Sequence, residues 1–364
     1  MSNKVRVGVV GTSGWAEFMY LSSLHSYPTA DLVSICGQNQ GHAKEMAAKY
    51  NIPQVFADYN EMITQGELDM IIVGAPDDLH YAITMQALRA DLHVLCDKPL
   101  ALTVQQAQEM FVAAEKTKRN HMVLFTYRYM PFFRYVHDLI SQGLIGRCYN
   151  SEFRYLMGYA RKKEYQWRLD QKRANGALGD LGVHMIDMAR WLVGDIASVS
   201  ALSSVFVDRP GAEGEGLEPA NDSTCLLVEF DNGAQGMIHA SLIAELGDRF
   251  MQQQVKLYGD GGSLEIDIQY EGAEAGVVLY VARHQDERFQ RLDVPASYWG
   301  DVDREKPFDV FTQQPIGCRA FIDAIIENRP ITPNFNDGYK AQQVIDAAME
   351  SHRSGNWVTI QNTL

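Results

Sequence analysis

The chain has 364 residues, 46% of them hydrophobic and 21% charged, with a formal net charge of -14. That length supports two domains with substantial cores, the composition is that of an ordinary globular protein, and the acidic balance disfavours nucleic acid or an anionic membrane as partner. Five widely spaced cysteines (Cys36, Cys96, Cys148, Cys225, Cys318) form no C-x-x-C pair, and the sequence has no signal core and no run of 18 apolar residues. A disulfide framework, secretion and membrane spanning are therefore disfavoured, and a cytoplasmic setting is expected.

Val5-Arg-Val-Gly-Val-Val10 reads as a short buried strand, Gly11-Thr-Ser-Gly-Trp-Ala16 as a tight glycine turn, and the stretch to about Ser26 as a helix. Such a turn aims backbone N–H groups and the positive end of a helix at whatever lies above the strand, as dinucleotide pyrophosphates require. Gly11, Thr12, Ser13, Gly14 and Trp15 are therefore candidate cofactor contacts, with Ser13 standing where the G-x-G-x-x-G/A fingerprint has glycine. Further strands are predicted at Leu32–Cys36, Asp69–Gly74, Leu92–Cys96 and Met122–Phe125, separated by helices over about 41–50, 79–90 and 103–118. This alternation predicts an α/β domain over residues 1–125, its parallel sheet wound on both faces and its ligands at the carboxyl ends of the strands.

At those ends stand Gln38 and Asn39, then Ala75, Pro76 and His80, then Asp97 and Lys98. After the second strand, where an acid would accept hydrogen bonds from the adenosine ribose of NAD, the chain reads Cys36-Gly-Gln-Asn39. It has neither a carboxylate to repel a 2′-phosphate nor an arginine to grip one, so NAD and NADP both remain open, with a lean toward NADP. His80 is expected to cap or pack near the cofactor turn. A lysine before proline is ordinarily a surface turn, but Lys98 stands at a strand's carboxyl end, which makes it a candidate catalytic cation.

After Phe125 the pattern changes. Thr126-Tyr-Arg-Tyr-Met-Pro131 reads as a hinge-like passage, a helix follows to about Gln142, and long strand-like runs then dominate from Arg147 to His284. Their alternation, with turns at Asp231-Asn-Gly233 and Gly259-Asp-Gly-Gly262, predicts an α+β domain over 126–364 built on a large open, mostly antiparallel sheet. Residues 208–222 read as an exposed, mobile loop, and helices over about 316–327 and 337–353 close the chain. Helices suffice for only one side of that sheet, so its other side is expected to pair with a second copy, as a homodimer or homotetramer.

Asp180-Leu-Gly-Val-His184 lies within a predicted helix of this domain. Leu178, Leu181, Met185, Met188, Ala189 and Leu192 step by three and four, as one buried helical face does. Asp180 and His184 miss that face, and positions four apart lie only about 40° apart around a helix, so carboxylate and imidazole would be neighbours. Gly176, Gly179 and Gly182 recur every third residue, although glycine inside a helix costs roughly 1 kcal/mol against alanine. They are read as clearance for something flat and bulky, beside a proton-handling pair. A metal would need a third protein ligand, which nothing nearby nominates. Arg128, Tyr155, Tyr159, Trp167 and Arg168 flank the proposed cleft and are candidate sugar contacts.

Gly11-Thr-Ser-Gly-Trp-Ala16, Ala75-Pro-Asp-Asp-Leu-His80, Asp97-Lys-Pro99, Gly176-Ala-Leu-Gly-Asp-Leu-Gly-Val-His184 and the closing Asp337-Gly338 helix together resemble the Gfo/Idh/MocA family of oxidoreductases. Asp97 stands where that family commonly has glutamate. The resemblance covers essentially the whole chain. It implies an N-terminal Rossmann-type nucleotide-binding domain, a C-terminal open-sheet domain for substrate, and an active site between them. By carry-over, Lys98 would reach nicotinamide ribose and substrate hydroxyl, with a cis bond possible at Pro99. His184 would be the general base, and Asp180 would orient the imidazole or the sugar hydroxyls. The implied reaction is hydride transfer between NAD(P) and a carbon bearing a hydroxyl or carbonyl on a sugar, cyclitol or related polyol. An NAD-dependent glycoside hydrolase and a non-catalytic nucleotide sensor are the alternatives.

Overall fold

The computed structural model describes residues 4–214, 216–272 and 275–361. The first three residues of the expected nucleotide-binding domain, Glu215 of the 208–222 loop, residues 273–274 and the last three residues lie outside them. The chain forms two compact units, one of Met1–Tyr129 with Asp301–Gln342, the other of Met130–Gly300 with Gln343–Leu364.

In the first unit six short strands form a wholly parallel sheet: β1 (Val5–Val10), β2 (Ala30–Cys36), β3 (Gln54–Phe56), β4 (Met70–Val73), β5 (His93–Cys96) and β6 (His121–Val123), in the order β3-β2-β1-β4-β5-β6. All four residues of β4 are buried, as a strand covered on both faces requires. The order reverses between β1 and β4, and that switch point is where such sheets open a crevice for ligands. Four of the connecting helices begin on side-chain caps: Ser13 accepts from Ala16 N–H, Asn39 from His42, Asp58 from Asn60 and Thr103 from Gln106. β3 and the helix Tyr59–Gln65 are additions to the sequence reading. Three residues after a proline carry too little alternation to be legible as a strand. The later helix Cys318–Ile326 joins this unit, its Arg319 donating to the Ser23 carbonyl at 2.9 Å while Asp323 accepts from the Tyr27 hydroxyl at 2.6 Å.

The second unit is built on nine strands: β7 (Cys148–Met157), β8 (Ile196–Ser204), β9 (Ser223–Phe230), β10 (Gln235–Ser241), β11 (Met251–Gly259), β12 (Gly262–Tyr270), β13 (Gly276–Arg283), β14 (Gln290–Leu292) and β15 (Val358–Thr359). Their order is β14-β13-β12-β11-β7-β10-β9-β8-β15, antiparallel throughout except where β10 lies parallel to β7. In β9, Thr224, Leu226, Val228 and Phe230 turn inward while Cys225, Leu227 and Glu229 are exposed, the period of two of a sheet with one covered face. The helical segment over 178–192 packs on the covered face, where Gly182 approaches Ala240 of β10.

The 205–222 loop is pinned near its ends. Asp222, fully buried, accepts from the N–H groups of Phe206 and Val207 and from Arg209, and Ala220 N–H donates to the Leu169 carbonyl at 2.9 Å.

Candidate active site

In the first unit the cofactor-binding candidates gather at the carboxyl ends of β1, β2, β4 and β5. Gly11 ends β1 with φ at +123°, and its N–H donates to the Cys36 carbonyl at 2.9 Å. A Cβ there would stand 2.3 Å from the Gly74 carbonyl oxygen, so only glycine brings β1 and β4 together at the switch point. Ser13 caps the helix over 14–25, and Gly14 has nothing within 4 Å of where a Cβ would be. An exposed glycine at an open helix start leaves the first N–H groups accessible, which fits a pyrophosphate. The serine in the fingerprint therefore serves as the cap. Thr12 packs on Gly37, and the Trp15 ring lies 6.3 Å from Phe18 and 6.4 Å from Phe308.

After β2, Gln38 is exposed and Asn39 spends its amide oxygen on the His42 N–H at 3.1 Å. After β4, Ala75 and Pro76 lead into the helix Asp77–Arg89, whose His80 is completely buried. After β5, the Asp97 carboxylate accepts from Lys98 N–H at 2.8 Å, and the Lys98–Pro99 bond is cis. Lys98 is half-buried. Helix Phe335–Ser354 supports this turn: a Cβ on Gly338 would stand 2.8 Å from Leu100, and Gln342 donates to the Leu102 carbonyl at 3.0 Å. Arg128 also belongs to this unit, paired with Asp337 at 2.9 Å, while the other Asp337 oxygen accepts from Asn334 N–H. The Asp337-Gly338 pair is thus explained by an ion pair and a close approach.

In the second unit Asp180 and His184 sit where a wide π-type turn, Leu178–Gly182, passes into the α-helix Val183–Leu192. Such turns inside helices occur frequently at functional sites. Asp180 accepts from the Tyr159 hydroxyl at 2.6 Å and from Arg168 Nε at 3.4 Å. His184 is buried, with the Tyr155 ring 6.2 Å away, and the Tyr155 hydroxyl lies 3.2 Å from Met251 Sδ. Trp167 carries the Arg168 guanidinium 4.3 Å from its ring centre and that of Arg173 at 5.9 Å.

The glycine reading needs correction, because the three glycines meet the protein itself. A Cβ on Gly176 would stand 2.1 Å from the Asn221 carbonyl oxygen, one on Gly179 2.8 Å from Asn175, and one on Gly182 3.1 Å from Leu178. Asn221, which sequence reasoning missed, anchors the start of the helix. Its carbonyl accepts from Ala177 N–H at 2.7 Å, its side-chain oxygen from Leu178 N–H at 3.0 Å, and its amide donates to the Asn175 carbonyl at 2.9 Å. Nothing local marks it, since it lies in the loop before β9.

The sheet order, the glycine turn at its switch point and an acid–imidazole helix in a separate sheet unit set the class: this is an NAD(P)-dependent oxidoreductase. Residues 5–125 match the family model described as "Oxidoreductase family, NAD-binding Rossmann fold", and residues 137–360 match "Oxidoreductase family, C-terminal alpha/beta domain". The chain belongs to the Gfo/Idh/MocA oxidoreductase family. It is 28% identical to levoglucosan dehydrogenase of Pseudarthrobacter phenanthrenivorans over 90% of this chain and 88% of that one. It is 24% identical to D-glucoside 3-dehydrogenase of Escherichia coli over 99% and 98%. Among solved structures, levoglucosan dehydrogenase in complex with NADH and levoglucosan superposes with a TM-score of 0.87 at 25% identity, covering 99% of this chain and 100% of that one.

Proposed function

We propose that the protein transfers a hydride between a nicotinamide cofactor and a carbon bearing a hydroxyl or carbonyl on a sugar, cyclitol or related polyol. The observation that carries this is the Asp180 carboxylate, held by Tyr159 and Arg168 one helical turn before His184. The similarity to enzymes named for levoglucosan and glucosides supports a carbohydrate substrate. Bound NAD supplies the hydride acceptor. His184 takes the proton from the substrate hydroxyl during oxidation and returns it during reduction, a task for which imidazole titrates in the right range. Lys98 supplies an ammonium, the kind of group that stabilises a developing alkoxide. Asp180 orients the imidazole and the neighbouring hydroxyls, and Tyr155, Trp167 and Arg168 supply the remaining polyol contacts. We assign cofactor binding to residues 1–125 and substrate binding and self-association to 126–364.

Gln38 and Asn39 carry no charge, so a 2′-phosphate is neither repelled nor gripped there. Titration with NAD and NADP should give dissociation constants within about tenfold of each other, a difference below roughly 1.4 kcal/mol. Self-association is assigned to the open face of the nine-stranded sheet, where Leu202, Leu227 and Met237 are 67%, 49% and 49% exposed. A contiguous apolar patch on a sheet is the ordinary mark of a protein interface. Light scattering should report a dimer or tetramer, and Leu227→Lys should shift it toward monomer.

The deciding experiment follows reduced-nicotinamide absorbance against a panel of sugars and cyclitols. His184→Ala and Lys98→Ala should each lower kcat by about a hundredfold or more, within the range general acid–base groups contribute. Glycoside cleavage without net cofactor reduction would overturn the proposal.

A further inference from the structure

The turn that presents Lys98 is held by a group outside the proposed catalytic set. His80 lies in the first turn of helix Asp77–Arg89, with no exposure to solvent. Its Nδ1 stands 2.8 Å from the Pro99 carbonyl oxygen and its Nε2 2.9 Å from the Ala75 carbonyl oxygen. A carbonyl oxygen can only accept. Neutral imidazole has a single N–H, so in either tautomer one ring lone pair would face a carbonyl lone pair in a place too dry for water to relieve it. Only the doubly protonated ring satisfies both contacts. Ala75 follows β4 and Pro99 follows β5, and these strands are parallel neighbours. The ring therefore ties together two carboxyl-end turns on the side where such sheets bind their ligands.

A buried cation needs an anion nearby. Cys96 and, after it, Asp97, 9% exposed, favour the charged ring from the β5 side. Tyr20 from the helix over 14–25 and Cys318 from helix Cys318–Ile326 both feel the Asp97 charge, and burial first and that charge second hold them in their neutral forms. The positive end of the His80 helix opposes the cation, and Asp77 and Asp78 in its first turn offset this. Burial alone would lower the His80 pKa. Cys96, Asp97 and the Pro99 carbonyl outweigh it and bring the ring to about 9.

We propose that His80 is a positioning residue: as a buried imidazolium donating to both Ala75 and Pro99, it fixes the turn from which Lys98 works. The proposal rests on the assignment of Lys98 to the reaction centre, and its test separates the two. In the full chain, with and without saturating NAD, nitrogen-15 spectra of labelled imidazoles should show His80 protonated on both nitrogens at pH 7.5 and losing one proton near pH 9, with its signals identified by their absence in His80→Gln. A neutral ring at pH 7.5 overturns the clamp whatever Lys98 does. An active Lys98→Ala, by contrast, overturns the Lys98 assignment and leaves the nitrogen spectra standing.

Function supplies the second arm. His80→Leu should lower kcat by about a hundredfold, the loss expected when a reacting group is misplaced by about 1 Å, with KM for the substrate changed much less. His80→Gln, whose amide still donates, should recover part of that loss and lack a fall in kcat near pH 9. Equal rates in the Leu and Gln variants, or an alkaline limb unchanged in His80→Gln, would overturn the proposal. If His80→Leu does not fold, the nitrogen spectra and the Gln profile decide it.

Discussion

Asp180 is a carboxylate already engaged by its own protein. Its bond from Tyr159, 2.6 Å long, has the length of a strong charge-assisted hydroxyl–carboxylate bond, whereas the Arg168 contact at 3.4 Å comes from a side chain that is 40% exposed and so counts for less. Tyr159 thus fixes the carboxylate, and the carboxylate in turn orients the groups it faces. Tyr159→Phe removes one hydroxyl and little volume. A hydrogen bond to a charged group is worth about 1.5–3 kcal/mol, so kcat should fall roughly ten- to a hundredfold if the full amount is realised in the transition state. Steady-state kinetics and a thermal melt check this together. A folded variant with kcat within twofold of the parent would show that Asp180 needs no such support.

The helix over 178–192 shows what pattern can and cannot reveal. The three-and-four stepping of Leu178, Leu181, Met185 and Met188 marked four buried residues, but it under-read the burial, since Val183, His184, Ile186 and Asp187 off that stripe are buried as well. The three glycines did mark close approach, but a spacing cannot say what approaches, and here it is Asn221, Asn175 and Leu178. Nor could the wide turn at Leu178–Gly182 be read, because it alters the helical period over too few residues to disturb the apolar stripe. The long strands were legible from alternation, yet the parallel pairing of β7 with β10 was not, since alternation records a face and not a direction. Lys98, Asp180 and His184 were proposed from motif and order and Tyr159 from its place beside the cleft, whereas the Tyr159–Asp180 bond and the anchoring by Asn221 are contacts that only the fold creates. Stability measurements can weigh these contacts. Asn221→Ala removes a cap and should cost about 1 kcal/mol, as cap losses typically do. Gly176→Ala should cost more, because its φ of +64° is left-handed and a Cβ would strike the Asn221 carbonyl. Denaturant midpoints for the two variants should fall in that order, and the reverse order would mean that Asn221 holds the helix start chiefly through its side chain.

Across the whole chain, the response of stability to pH follows from which histidines the fold keeps charged and which neutral. His93 is held down to about 4, chiefly by burial, and geometry agrees, because its Nδ1 accepts the Asn120 N–H at 2.9 Å. His121 is lowered by burial too, its Nδ1 accepting from Phe335 N–H, and burial also lowers His239. An unfolded chain protonates all three near their ordinary value of 6.5, so below about 6.5 it binds more protons than the native state and stability falls as pH falls. His80 has the opposite sign. Its folded pKa, about 9, lies above the unfolded value, so its contribution is fully present below about 6.5 and is lost as pH rises through 9. The carboxylates Glu17 and Asp69, lowered by Lys49 and Arg6, act only below the ordinary carboxylate range, and the buried thiols Cys36, Cys148 and Cys318, raised chiefly by burial, add a loss of stability above about pH 8.5. Melting temperature should therefore peak near pH 6.5 and decline on both sides. The alkaline decline should begin later and shrink in His80→Gln, the remainder coming from the buried thiols, and the acid one should shrink in His93→Asn, whose side-chain oxygen can still accept the Asn120 N–H. A melting profile flat from pH 5 to 9 in the parent protein would contradict the assignment of these charges.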